Sequence, residues 1–365
     1  MTYKVAIVGL GSQSGGWVRN VRKHPDFEII GIVDTDTELL ENVPRLVPEL
    51  EEDDAYMSID DMVMFGEKPD MAIVITPIYT HHALVQEVMD HDIHVICEKN
   101  LASTIYQGRQ MVQKALDNPH LATAIGTQYR YFTKNWTARK FFTQEGENCI
   151  GDLAFMRWMS AGNWGEKRRG WRRWLQEIYL EDMCTHWFDL MRYITGMDIV
   201  QVRCDTFIPN YSKWVGSSTA FVNCALAKPE DYNHRHNWVW AQLYGDWQKR
   251  GPGKNSFEFF CEKGEAEINQ DWGLALKLYK DDEGHSFEED GYLPQGDIMD
   301  LGTNYTDQAI ILEMMKRSMD SNGEYQPDTN FREGFKSFAV SMGAIESSRT
   351  GKAVWVPKYW KDMEI

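Results

Sequence analysis

The feature that most limits what this chain can fold into is a rhythm in its first third. Apolar runs at residues 4–8, 27–33, 70–75 and 93–97 read as strands. Between and after them, residues 17–23, 83–91 and 105–115 read as helices, and a short strand at 122–126 closes the series. Strands that alternate with helices pair in parallel, because each crossover returns the chain in the same direction. The expectation is an α/β Rossmann domain, a doubly wound parallel sheet, over residues 1–126.

The first strand runs into Gly9-Leu10-Gly11-Ser12-Gln13-Ser14-Gly15-Gly16 and then a helix. Strand, glycine turn, helix is the context that a phosphate-binding turn requires. Gly9 permits the tight turn. Gly11 lets the backbone approach a pyrophosphate, which then rests on the helix N-terminus. Ser12, Gln13 and Ser14 count with them as cofactor-binding, although Ser14 stands where the G-x-G-x-x-G fingerprint has its third glycine. The second strand ends at Asp34, about the expected distance on for a carboxylate that bonds the adenosine ribose. A helix cap or turn former is the alternative. An anion there repels a 2′-phosphate, and Thr35 rather than an arginine follows, so NAD is expected over NADP.

A net charge of −17 argues against a nucleic-acid partner and an anionic membrane surface, both of which need a basic footprint. No apolar run nears membrane-span length and no leader is expected at Met1. The six cysteines are scattered without a C-x-x-C pair, which predicts reduced thiols, no metal site and a cytoplasmic protein. With 14 Trp, the chain has rings for a sugar-binding cleft as well as for its core.

Beyond residue 126 the pattern changes. A helix at 135–144 is followed by strand-like runs at 153–160, 199–204, 217–226, 238–244 and 257–262, and Lys263-Gly264 turns into another at 265–268. This predicts an α+β domain with a large, mostly antiparallel open sheet over residues 127–365. Within it, residues 179–194 read as one helix, on which Asp182 and His186 share a face. A histidine with a carboxylate in reach suits general-base catalysis; a satisfied core histidine with Asp182 as a cap is the simpler reading of that spacing alone. Residues 163–174 read Asn-Trp-Gly-Glu-Lys-Arg-Arg-Gly-Trp-Arg-Arg-Trp. Trp164, Trp171 and Trp174 are expected to stack on sugar faces. Arg168, Arg169, Arg172 and Arg173 bind an anionic group or pair with the chain's many acids. Arg130 faces the pocket or forms a structural ion pair.

Lys99 follows Glu98 at the end of the 93–97 strand, where ligands bind in open α/β sheets; alone, Glu-Lys reads as a surface pair. Gly9-Leu10-Gly11, Thr76-Pro77-Ile78-Tyr79-Thr80-His81, Glu98-Lys99-Asn100 and the tail at 331–354 together resemble the Gfo/Idh/MocA family, the glucose–fructose oxidoreductase and inositol dehydrogenase relatives. The family's proline after the lysine is Asn100 here. The resemblance implies an NAD-dependent oxidoreductase of a sugar, polyol or sugar acid. It implies that Lys99, Asp182 and His186 are catalytic, and that Thr76, Pro77, His81, Glu98 and Gln128 belong to the cofactor site. A C-terminal helix packing back on the first domain and a homodimer or homotetramer built on the outer sheet face are further expectations. Two other readings stand beside it: a glycoside hydrolase that recycles NAD through oxidation, elimination and reduction, and a non-catalytic NAD-sensing regulator.

Overall fold

The computed structural model describes residues 2–164, 170–269, 276–281, 287–292, 308–363 and 365. Two compact units emerge. The N-terminal unit runs to Gln128 and is rejoined by the segment that reaches Phe335; the C-terminal unit starts at Tyr129 and takes up the chain again at Lys336.

The N-terminal unit is built on six strands, β1 (Tyr3–Val8), β2 (Phe27–Val33), β3 (Ala55–Tyr56), β4 (Met71–Val74), β5 (His94–Cys97) and β6 (Thr123–Ile125). Their order is β3-β2-β1-β4-β5-β6, and every pairing is parallel. Val5, Ala6, Ile7, Ile32, Met71, Ile73 and Ile96 are fully buried. A sheet covered on both faces has no solvent side, which is why its strands read as continuous apolar runs rather than alternations. The helices of its first stretch are α1 (Ser14–Lys23), the short α2 (Thr37–Leu40) and α3 (Val43–Leu46), α4 (Ile59–Phe65), α5 (Ile78–Asp90) and α6 (Ile105–Asp117), and the returning segment adds the helix Gln308–Asp320. The edge at β6 is covered by the returning chain: Ile125 N donates to Thr329 O at 2.8 Å, and Phe331 N to Thr123 Oγ1 at 3.3 Å.

The C-terminal unit opens with α7 (Thr133–Thr143) and is dominated by a nine-stranded sheet. Its strands are β7 (Leu153–Ala161), β8 (Asp198–Phe207), β9 (Thr219–Ala227), β10 (Val239–Asp246), β11 (Lys254–Cys261), β12 (Gly264–Asn269), β13 (Leu276–Asp281), β14 (Phe287–Tyr292) and β15 (Val354–Trp355). The order is β14-β13-β12-β11-β7-β10-β9-β8-β15. Among the described pairings only β7 with β10 is parallel. The expected single helix over 179–194 is two, α8 (Ile178–Asp182) and α9 (Cys184–Thr195), broken at Met183. All twelve residues of α9 are buried. It is held between the sheet, where Trp187 packs on Phe257 and Trp158, and the helix Phe331–Thr350, where Thr185 Oγ1 meets Ser341 Oγ at 3.0 Å. No helix among the described residues is long and apolar enough to cross a membrane.

Candidate active site

The glycine turn sits at the point where the strand order reverses, between β1 and β4. Gly9 has φ +97°, a conformation that favours glycine, and a Cβ there would lie 2.8 Å from Thr76 Cγ2 and 3.0 Å from the Ile75 backbone. Gly11, Ser12 and Gln13 are exposed. Helix α1 starts at Ser14, earlier than its apolar period indicates, because Ser14 Oγ donates to Gly11 O at 2.8 Å and folds the turn back on itself. No side chain caps α1 and no acid stands in its first turn, so its N–H groups and positive dipole end are left for an anion. Asp34 Oδ2 accepts from Leu10 N at 2.7 Å, which sets a carboxylate against the glycine turn; Asp36, not Asp34, caps the next helix. Gln128 Oε1 is buried and accepts no hydrogen bond within the described residues. An open turn, an uncapped helix end and an anion beside them fit the pyrophosphate and adenosine ribose of NAD.

Next to this edge the ends of β4 and β5 are clamped together. Helix α5 begins at Ile78, so His81 lies in its first turn. The ring is buried, with Nδ1 2.7 Å from Asn100 O and Nε2 2.9 Å from Thr76 O. Burial is the main influence and holds its pKa below the usual histidine value, against the carbonyl contacts that raise it. A neutral ring carries one N–H, so in either tautomer only one of the two carbonyls accepts a hydrogen bond from it. Thr80 Oγ1 donates to Thr76 Oγ1 at 2.7 Å, and Pro77 stands at the cap of α5. Glu98, expected at the cofactor, turns inward: its Oε1 accepts from Trp17 Nε1 at 2.8 Å and its Oε2 from Lys99 N at 3.2 Å. The Lys99–Asn100 peptide is cis. Lys99 is half-buried at the carboxyl end of β5.

Asp182 and His186 belong to the C-terminal unit. Both are buried, Asp182 as the last residue of α8 and His186 in the first turn of α9. The break at Met183 means that they do not occupy one continuous helical face. The expectation failed because residues 179–194 contain no glycine or proline to signal the break. His186 stacks on Tyr129, with centroids 4.0 Å apart and planes at 10°. Arg172 Nε donates to Asp182 Oδ1 at 3.1 Å. The two helices are held to the sheet by Tyr179, whose hydroxyl donates to Ser160 O at 3.0 Å and accepts from Trp187 Nε1 at 3.1 Å. Its ring lies so close over Gly245 that a Cβ there would meet Tyr179 Cε1 at 1.9 Å.

A cleft of about 470 Å³ borders this segment, walled by Tyr129, Trp164, Met183, Trp187, Trp247 and Phe257. Of the tryptophans expected to stack on substrate, Trp164 lines it. Trp171 and Trp174 lie on a following turn outside its described lining, with Trp174 70% exposed. The guanidinium of Arg172 covers the Trp171 ring at 4.6 Å, and that of Arg173 the Trp174 ring at 6.0 Å. Arg168 and Arg169 lie outside the described residues. Arg130 forms the ion pair rather than facing the pocket: its Nε and Nη2 reach Asp189 Oδ2 and Oδ1, each at 2.7 Å, with both side chains buried. Lys134 and Asn135 also line the cleft; nothing in the sequence marked them, since two polar residues at a helix start are ordinary.

The first unit is that of a dinucleotide-binding oxidoreductase. A family model described as "Oxidoreductase family, NAD-binding Rossmann fold" matches residues 3–124, and one described as "GFO/IDH/MocA C-terminal domain" matches residues 144–267. The uncharacterized protein y4oX of Sinorhizobium fredii is 22% identical over 381 residues, covering 100% of this chain and 99% of that protein. Inositol 2-dehydrogenase 1 of Paenarthrobacter aurescens is 22% identical over 204 residues, covering 55% of this chain and 57% of that one. An oxidoreductase from Agrobacterium radiobacter, crystallised with NAD+, L-tartaric acid and magnesium, superposes with a TM-score of 0.79 at 18% identity, over 99% of this chain and 100% of that one. The chain belongs to the Gfo/Idh/MocA family and is an NAD-binding oxidoreductase.

Proposed function

We propose that the protein oxidises a secondary alcohol of a sugar, polyol or sugar acid. NAD, when bound, supplies the hydride acceptor. His186 takes the hydroxyl proton, so that a CH–OH becomes C=O with the proton on the imidazole. Asp182 supports the charge that the ring gains, with Arg172 holding the carboxylate. Lys99 donates a hydrogen bond to the same oxygen and stabilises the alkoxide charge as it develops. The observation that carries this reading is the environment of His186. It is a buried imidazole fixed by a stacked tyrosine, on a segment that borders an aromatic cleft of monosaccharide size.

The inositol 2-dehydrogenase relative supports a polyhydroxylated substrate. A panel of polyols, aldoses and sugar acids, followed by NADH absorbance beside a glycoside-cleavage assay, tests the reading. Lys99→Met should lower kcat by about 10²–10⁴ while NAD still binds. Near-normal turnover in that variant overturns the role of Lys99. Glycoside hydrolysis without net NADH would redirect the same residues to the NAD-recycling route.

A further inference from the structure

The cleft carries one charged residue among its described lining, Lys134. Phe132, Lys134 and Asn135 all line it, so the N-terminal end of α7 faces the cavity. That end has no side-chain cap and no acid in its first turn, which leaves the positive dipole end uncompensated by its own residues. Lys134 is half-buried, and no described residue gives its ammonium an ion pair. In a chain with 55 acids and a net charge of −17, a partly buried lysine without an acidic neighbour is a conspicuous exception. Burial alone holds its pKa below the usual lysine value. A desolvated cation is relieved by a counter-charge.

Beside it, Asn135 is 1% exposed. Its Nδ2 donates to Tyr129 O at 2.7 Å, which fixes the amide and presents Oδ1 as an acceptor. Oδ1 receives no hydrogen bond from a described residue. An acceptor repels a carboxylate and takes a hydroxyl. The wall therefore asks for two things in one molecule, a negative charge and a hydroxyl near it, with ring faces for Trp164, Trp187 and Trp247.

We propose that the start of α7 is a recognition subsite for a carboxylate-bearing polyhydroxy substrate, Lys134 taking the carboxylate and Asn135 Oδ1 accepting a hydroxyl of the same molecule. This rests on the reading of the cleft as the pocket of a dehydrogenase, and it moves anion recognition from the arginines of the 163–174 segment to a lysine on another element. A single ammonium matches a singly charged carboxylate better than a phosphate dianion, which would leave charge uncompensated.

The test measures kcat/KM by NADH formation for hexuronates and hexonates, each against its neutral parent hexose or hexitol and the corresponding sugar phosphate, on wild type, Lys134→Met and Lys134→Arg. Wild type should prefer the acid. Lys134→Met should lower the acid-to-neutral ratio about tenfold to a hundredfold, and Lys134→Arg should restore most of it. A preference for neutral substrates or phosphates in wild type, or a ratio unmoved in Lys134→Met, overturns the subsite. Tryptophan-fluorescence titration with the same acids separates this from the catalytic reading. Acid binding kept in Lys99→Met and weakened in Lys134→Met sustains the subsite even if no acid is oxidised. Failure of every acid to bind wild type overturns it.

Discussion

Arg172 and Arg130 show how far a side chain's role depends on what folding places beside it. The sequence leaves each of them two readings, at the substrate pocket or in an ion pair with the protein's own acids, and both hold carboxylates of the protein itself. Arg172→Ala removes the partner of Asp182, so kcat should fall about tenfold for acidic and neutral substrates alike. A loss confined to acids would return Arg172 to anion recognition. Arg130→Met leaves Asp189 buried, with Ser337 Oγ at 2.9 Å as its remaining described partner. A buried carboxylate stripped of its partner costs about 3–5 kcal/mol, which urea unfolding would read as a lowered midpoint at unchanged slope. The ion pair was a stated alternative for Arg130. Which alternative held could not be read from the sequence, because the partner Asp189 lies on a different element and its burial is set by α9.

At the scale of elements, β2 begins and ends where its apolar run does, β1 and β5 differ from their expected bounds by a residue at one end, and β4 by a residue at each end. Strands buried on both faces announce themselves in composition alone. The break at Met183 does not, because it is imposed by tertiary packing: Tyr179 must reach Ser160 while α9 lies buried along the sheet. Strands β13 and β14 are not marked in the sequence, since charged residues break up their apolar runs. The packing of Tyr179 on Gly245 makes a sharp prediction. Gly245→Ala forces the ring away and should destabilise the C-terminal unit by about 1–3 kcal/mol, measured by urea unfolding. It should also slow turnover, because Asp182 and His186 flank the displaced joint.

At the scale of the whole molecule, the half-buried His94 and the buried Asp198 both make stability fall toward acid. His94 Nδ1 accepts from Ala122 N at 2.9 Å, which requires a neutral ring, and burial pushes its pKa from 6.5 down to about 4. The unfolded chain therefore binds this proton more readily. The stability it contributes is complete above pH 6.5 and is lost as the pH falls toward 4, about 3 kcal/mol in all. His94→Asn should flatten that part of a stability-against-pH curve measured by urea unfolding. Burial raises the Asp198 carboxyl, but the charges of Arg192 and Lys336 and the Tyr232 hydroxyl outweigh it and hold the pKa at about 2. Its contribution is complete above 3.8 and is lost between there and 2, so the C-terminal unit has a second, more acidic limit.

The parallel pairing of β7 with β10 has a consequence for how this protein can change. Because β7 and β10 run in the same direction, the chain leaving β7 must loop away before it can return. The described residues between Ala161 and Asp198, among them Trp164, Arg172, Asp182 and His186, lie in that excursion outside the named strands, with Asn163 bridging to Gln248 near its start. Exchanges on the turn Trp171–Trp174, none of whose residues is buried, leave the strand register untouched, whereas every residue of α9 is buried. The chain between β7 and β8 can therefore vary at that turn while the sheet beneath it stays as it is.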